Sequence, residues 1–139
     1  MIKVAYILGK VHSGGKKNLV LEYLRHVDTQ KVRIDFICDS DSNSIPEDEV
    51  KKYGGKVFKI TPYQNIIGNM RDMKAIFRAE HYDVVHAWNS MMNLFPIVLA
   101  KKEGIKVRIS ESLSMANKHE WKTLIKYALR PFSSVDANY

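Results

Sequence analysis

Residues 2–15 read IKVAYILGKVHSGG, in which an apolar run leads directly into a glycine-rich segment. The run over residues 2–8 has the length and composition of a buried strand, and it ends at Gly9. Apolar residues then recur at helical spacing over residues 16–26, so a helix is expected to begin directly after the glycines. A strand, a glycine-rich turn and a helix together form the first unit of a parallel α/β sheet.

The same alternation of strand and helix continues along the rest of the chain. Further strands are predicted over residues 32–38, 56–60, 82–86, 105–110 and 135–139. Further helices are predicted over residues 46–52, 66–80, 119–129 and a stretch that ends near residue 103. The alternation predicts a Rossmann-like three-layer α/β sandwich with a parallel sheet, as a single domain over residues 1–139.

The predicted helix that ends near residue 103 contains a proline, which limits where the helix can begin. Pro96 has no amide hydrogen, so it is compatible with a helix only near the first turn. The spacing of Phe95, Val98 and Leu99 predicts that these three side chains face the core.

The chain is basic, with 22 lysines and arginines against 15 acidic residues and a net charge of +7. Such an excess suits phosphorylated ligands, anionic membranes or nucleic acid. The basic residues are spread in pairs and form no long block, so nucleic acid is not the expected partner. Lys118, Lys122 and Lys126 recur every four residues, which indicates either a solvated helix face or a surface for anionic lipid.

Two features bear on the compartment in which the protein works. Cys38 is the only cysteine and cannot form an internal disulfide, which fits a reducing environment. No apolar run approaches the roughly 20 residues that a membrane span needs. We therefore expect a cytoplasmic protein, with peripheral contact at the inner face of the membrane as an open alternative.

The predicted topology places a ligand site at one edge of the sheet. Open parallel sheets bind ligands beyond the carboxyl ends of their strands, where the strand order reverses, and in a Rossmann order this point lies between strands one and four. Two loops should therefore face a common crevice, residues 9–15 and residues 86–90, with residues 110–112 beside them.

The first of these loops has the chemistry of a phosphate site. Free amide groups and the helix dipole at its junction with the helix attract anions, and lysine adds positive charge there. The predicted donor-phosphate-binding residues are Ser13, Gly14, Gly15 and Lys16. A solvated lysine is the alternative for Lys16. The spacing of the glycines matches neither a P-loop nor the dinucleotide fingerprint.

The remaining candidates suit a saccharide acceptor. His86 either bonds to backbone at a strand end or contacts an acceptor hydroxyl, and Trp88 either packs in the core or stacks on a pyranose ring. The amide of Asn89 can satisfy sugar hydroxyls. The predicted acceptor-binding residues are His12, His86, Trp88, Asn89 and Ser112. No second histidine lies at ligand spacing from His86, so no metal site is predicted.

In order and spacing, several segments resemble the amino-terminal domain of family 4 glycosyltransferases, most closely the branch that builds capsular and other surface polysaccharides. The resemblance spans essentially the whole chain. The segments that carry it are residues 1–4, 13–15, 23–28, 34–36, 82–87, 100–109 and 129–131.

This resemblance implies the amino-terminal half of a two-domain GT-B fold. The amino-terminal domain of such enzymes receives a saccharide or lipid-linked acceptor, and a carboxy-terminal domain, absent from this chain, holds the nucleotide-sugar donor. The Gly-Gly loop, here Gly14 and Gly15, approaches the donor diphosphate. The resemblance further implies retained anomeric configuration, no metal, no cofactor and no activity for this domain alone.

Glu111 stands where the family often has a histidine that touches the donor sugar, and we assign it the catalytic role. A carboxylate can accept a hydrogen bond there, but it donates one at neutral pH only if its pKa is strongly raised. The alternative function is a stand-alone Rossmann-like module that binds a nucleotide or phosphate without catalysis.

Overall fold

The computed structural model describes residues 1–111, and for residues 90 and 91 the backbone alone. The predictions for Ser112, for the helix over residues 119–129 with its lysines, and for the strand over residues 135–139 lie outside this range. The strands are β1 Ile2–Gly9, β2 Val32–Asp39, β3 Val57–Ile60, β4 Val84–Ala87 and β5 Val107–Ser110. The α-helices are α1 Gly15–Arg25, α2 Glu47–Lys52, α3 Ile66–Glu80 and α4 Leu94–Lys102, and a short 3-10 helix spans Ser90–Asn93.

The five strands form one parallel sheet in the order β3-β2-β1-β4-β5. The chain thus builds the sheet outward from β1 in one direction, then crosses back over β1 to add β4 and β5. The predicted α/β Rossmann-like fold is confirmed. The reversal of strand order lies between β1 and β4, so the loops that follow these two strands leave the sheet side by side.

Each face of the sheet carries its own apolar core, as expected when helices cover both faces. Alternate residues of β1 supply the two cores, with Ala5 and Ile7 on one face and Tyr6 and Leu8 on the other. The first face packs against α3 and α4, and the second packs against α1 and α2. Cys38 lies buried in the second core, and burial raises the pKa of its thiol to about 12.

In helix α4, the predicted position of Pro96 is confirmed, and the predicted burial of Phe95 is wrong. Pro96 is the third residue of α4, in the first turn, where its missing amide hydrogen removes no helical bond. Phe95 was predicted to face the core, but it is 38% exposed. The buried side of α4 consists of Pro96, Ile97, Leu99 and Ala100, and Phe95 instead borders the loops at the carboxyl edge of the sheet.

A buried ionic network lies near the opposite, amino edge of the sheet. The carboxylate of Asp35 is fully buried and accepts two hydrogen bonds from the Arg33 guanidinium, at 3.0 and 2.8 Å. It also accepts the Tyr82 hydroxyl at 2.7 Å and the Lys56 amide at 2.9 Å. Arg33 in turn bonds to Glu80 at 2.7 Å. The network joins β2 to the segments that precede β3 and β4.

Among the described helices, none combines the length and the apolar character needed to cross a membrane.

Candidate functional site

The loops that follow β1 and β4 meet at the carboxyl edge of the sheet. The amide of Trp88 donates to the carbonyl of Ile7 at 2.9 Å, so β4 continues alongside β1 to its last residues. The ammonium of Lys16 donates to the carbonyl of Leu8 at 2.6 Å and to Oδ1 of Asn89 at 3.2 Å. Lys16 therefore bridges the two loops across the point where the strand order reverses.

Lys16 has a different environment from the one its sequence position suggested. Its side chain turns inward, and its two hydrogen-bond partners are neutral oxygens. Because burial disfavours the charged form, the pKa of Lys16 is lowered. Its ammonium is thus a partly desolvated positive charge in the crevice, which suits an anionic group better than a solvated lysine would.

Gly9 allows the two loops to approach each other. Its φ of +62° lies in the left-handed region, and a Cβ built on it would lie 2.4 Å from Nδ2 of Asn89. The Asn89 side chain therefore rests directly on the backbone of Gly9. A side chain at this position would displace Asn89 from Lys16.

Replacing Gly9 with alanine should lower the free energy of unfolding more than the left-handed strain of about 1–2 kcal/mol. The additional loss of stability comes from the steric clash between the new Cβ and the Asn89 side chain. Gly104→Ala is the matched control, because Gly104 has a φ of +79° and a Cβ added there would meet open space. Urea denaturation of both variants measures the two losses, and equal losses would contradict the close contact between the loops.

A cleft of about 310 Å³ opens between these loops and the loop after β3. It brings together three of the predicted side chains, His12, Lys16 and Asn89. It also contains residues that no sequence pattern singled out. Its lining comprises Gly9, Lys10, His12, Lys16, Tyr63, Asn89 and Met92. Tyr63 follows the third strand, so the rule that pointed to the loops after β1 and β4 also applied to its loop.

The glycine-rich loop is tied side by side to the polar loop that follows β2. Lys10 pairs with Asp41, the Val11 amide donates to Ser42 Oγ at 2.9 Å, and His12 Nδ1 lies 2.8 Å from Asn43 Oδ1. The hydroxyls of Ser13 and Ser44 lie 3.4 Å apart. These contacts fix residues 10–13 and turn His12 toward the β2 loop.

The tip of the glycine-rich loop is open. Within residues 1–111, a Cβ at Gly14 or Gly15 would meet no atom within 4 Å. Helix α1 has no acidic residue in its first turn, and no side chain of the described residues caps its first amides. These amides are therefore available to an anion, as the helix dipole favours.

Asn93 joins the β4 loop to the end of β5, and no sequence pattern pointed to it. Its side chain is fully buried, and its Oδ1 accepts the Asn89 amide at 2.6 Å. Its Nδ2 donates to the Ser110 hydroxyl at 3.0 Å and to the Glu111 carbonyl at 2.9 Å. One asparagine thus fixes the backbone of two candidate residues, Asn89 and Glu111.

His86 and Glu111 lie beside each other on the face of the sheet that carries α1. Nε2 of His86 is buried and lies 3.5 Å from Oε1 of Glu111, too far for a well-formed hydrogen bond. The imidazole stacks on the Trp88 indole, with ring centres 4.3 Å apart and an angle of 19° between the planes. Nε2 therefore stands next to a carboxylate without a bonded partner among the described residues.

Trp88 is 2% exposed and packs against Tyr6, Tyr23 and His86. Its indole Nε1 has no hydrogen-bond partner among the described residues. This burial favours core packing over stacking on a pyranose ring, the two alternatives that the sequence left open. The indole instead supports the imidazole of His86.

Stability should fall on mild acidification because of His86. Burial lowers the pKa of His86, an effect that Glu111 opposes only in part. The unfolded chain then binds the proton more readily, so the stability that the neutral imidazole contributes is present above about pH 6.5 and decreases below it. Urea denaturation at about pH 7.5 and about pH 5.5 checks this. The loss of stability between the two pH values should be smaller in His86→Asn. An equal loss in this variant would show that other titrating groups cause the pH dependence.

Residues 1–111 contain no group of three or more histidine, cysteine or acidic side chains placed to hold a metal ion.

No protein-family model matches the chain. Among curated proteins, the chain is similar to one named "Putative glycosyltransferase EpsF" from Bacillus subtilis (strain 168), with 25% identity over 124 residues. The aligned region covers 87% of this chain and 31% of that protein, so the chain spans about a third of the length of this relative. This distant similarity supports a relationship between the chain and the glycosyltransferases.

Proposed function

We propose that the chain is the acceptor-side, amino-terminal half of a GT-B glycosyltransferase of the family 4 type, working in surface polysaccharide biosynthesis. The observation that carries the proposal is the bridge from Lys16 to Leu8 and Asn89, which unites the loops after β1 and β4 in one cleft. A nucleotide sugar is the donor, and a saccharide or lipid-linked saccharide is the acceptor. The similarity to a glycosyltransferase-named protein supports this class.

On this proposal, the donor diphosphate approaches the open tip of the glycine-rich loop. Ser13, Gly14 and Gly15 supply hydrogen-bond donors, and Lys16 supplies positive charge from within the cleft. The acceptor hydroxyl forms a bond to the anomeric carbon, and the bond from that carbon to the diphosphate oxygen breaks. The electron pair leaves with the nucleoside diphosphate, whose leaving oxygen takes the proton of the acceptor hydroxyl and whose developing charge the loop amides stabilise.

The acceptor is placed by side chains on the loops that follow β1, β4 and β5. His12 and Asn89 line the cleft, and His86 lies beside Glu111. We assign Glu111 to the reacting centre, where its carboxylate accepts a hydrogen bond from the donor sugar or the acceptor hydroxyl. Ser112 is proposed to extend the acceptor site. The reaction retains anomeric configuration and needs no metal.

The donor site proper belongs to a carboxy-terminal domain that completes the cleft, so residues 1–139 alone are expected to show no turnover. The proposed setting is the cytoplasm, at the inner face of the membrane when the acceptor is lipid-linked. The alternative function is a phosphate-binding module without catalysis, and the experiment must distinguish this module from a glycosyltransferase.

The test assays the complete gene product and residues 1–139 with UDP-glucose, UDP-galactose, UDP-N-acetylglucosamine and GDP-mannose, measuring nucleoside diphosphate release. We expect release from one donor by the complete product only. Glu111→Gln should lower kcat about 100-fold, the range for a lost acid–base or charge-stabilising group. Nucleotide binding without turnover of any donor would favour the non-catalytic module.

A further inference from the structure

The loop that follows β3 presents an aromatic ring to the cleft. Tyr63 is 41% exposed and lines the same cleft as Lys16 and Asn89. Scattered exposed tyrosines are ordinary on protein surfaces, so exposure alone indicates no function. The position of Tyr63 in a concave site, opposite charged and amide groups, distinguishes it from a surface tyrosine.

The backbone of this loop is held in place, so the Cα from which the ring projects is fixed before any ligand arrives. The amide of Tyr63 donates to the buried carboxylate of Asp39 at 3.2 Å. Thr61 anchors the start of the loop, because its amide and hydroxyl both donate to Oδ2 of Asp72, at 2.9 and 2.6 Å. Asn65 closes the loop by accepting the Gly68 amide at the start of α3. A loop backbone that is already ordered loses little conformational entropy on binding.

Polar groups around the ring match a polyhydroxylated ligand. The ammonium of Lys10 lies over one face of the Tyr63 ring, 5.1 Å from its centre, and it also pairs with Asp41. Oδ1 of Asn89 is taken by Lys16, whereas its Nδ2 has no hydrogen-bond partner within residues 1–111. Because Lys10 covers one face of the ring, a sugar ring can pack its apolar side on the other face while the Asn89 amide donates to one of its hydroxyls.

We propose that Tyr63 forms a stacking subsite for a pyranose ring of the acceptor saccharide, on the ring face away from Lys10, with the Asn89 amide bonding to its hydroxyls. The inference rests on the proposed function and names the part of the cleft where the acceptor sugar lies. It takes over the stacking role for which Trp88 is too deeply buried.

The test titrates residues 1–139 with methyl glycosides of glucose, galactose, N-acetylglucosamine and glucuronic acid, monitored by saturation-transfer NMR. Tyr63→Leu keeps an apolar side chain but loses the ring, and it should weaken binding of the preferred glycoside about tenfold. Tyr63→Phe keeps the ring and should bind as the wild type does. Ile67→Ala is the control, because Ile67 is 80% exposed on the adjacent helix and lies outside the cleft lining.

Unchanged binding in Tyr63→Leu, or an equal loss in Ile67→Ala, would overturn the subsite. The same titration compares free uridine with each glycoside. If uridine binds more tightly than any glycoside and Tyr63→Leu abolishes this binding, Tyr63 stacks on a nucleobase and the sugar subsite is overturned. A parallel titration with inorganic pyrophosphate separates the subsite from the proposed function. If pyrophosphate shifts the amides of Gly14 and Gly15 but no glycoside binds, the subsite fails and the proposed function stands. If neither probe binds, both fail.

Discussion

Replacing Gly15 with alanine should remove sugar transfer while leaving the fold intact. Gly15 is the first residue of α1, its φ is not positive, and a Cβ there meets no protein atom within 4 Å. Alanine also has the higher helix propensity, so the free energy of unfolding should stay equal or rise slightly. The added methyl group would nonetheless occupy the space in which a phosphate reaches the loop amides.

The expected loss in kcat/KM of the complete enzyme is about 100-fold, the effect of removing one preorganised donor from a developing anion. Thermal unfolding measures the fold, and nucleoside diphosphate release measures the activity. Asn18→Ala is the matched control, since Asn18 lies exposed at the fourth position of α1, where alanine should keep the activity and leave the stability equal or slightly higher. Full activity in Gly15→Ala would show that no phosphate approaches this loop.

Replacing Asp35 with alanine should produce the largest loss of stability, about 3–5 kcal/mol in the free energy of unfolding. The substitution leaves the Arg33 guanidinium with one carboxylate, Glu80, and leaves the buried Tyr82 hydroxyl without its acceptor. Glu80 also bonds to Lys56 at 2.9 Å, so it cannot replace Asp35 without giving up that contact. The pKa of Glu80 is already lowered by its hydrogen bonds to Lys56 and Arg33, against the opposing effect of burial.

Urea denaturation measures this loss, with Asp48→Ala as the control. Asp48 lies exposed in the first turn of α2, where its interaction with the helix dipole contributes at most about 1 kcal/mol. Because the Asp35 network lies at the edge of the sheet opposite the cleft, pyrophosphate binding by the folded variant should be unchanged. A loss no larger than that of Asp48→Ala would show that the network contributes little to stability.

The sequence was sufficient to predict the fold because each element carries a strong local signal. The apolar run of β1 and the three- and four-residue spacing of apolar side chains along α3 each have one good structural interpretation. The parallel order then followed from the alternation of strands and helices. Phe95 was the exception, because residues 94–100 of α4 are all apolar and periodicity alone does not identify the buried face.

The sequence predicted the location of the candidate site, at the carboxyl edge of the sheet. It did not predict which side chains contact each other there. Lys16 was expected at a helix start, yet its long side chain bends inward to reach Leu8 and Asn89. Hydrogen bonds join residues 10–13 to residues 41–44, which lie 31 positions further along the sequence. No local sequence pattern predicts such a long-range pairing. Asn93 is a single residue outside any apolar period, so only the folded chain identifies it, whereas the loop of Tyr63 could have been found because it follows a strand at the same edge of the sheet.

The most direct test of the common cleft is a titration of ¹⁵N-labelled residues 1–139 with inorganic pyrophosphate, compared with sodium chloride at matched ionic strength. We expect the amide signals of Gly14, Gly15 and Asn89 to shift together with one midpoint, because Lys16 links the two loops. Shifts confined to the amino edge of the sheet around Asp35, or equal shifts with sodium chloride, would contradict the common cleft.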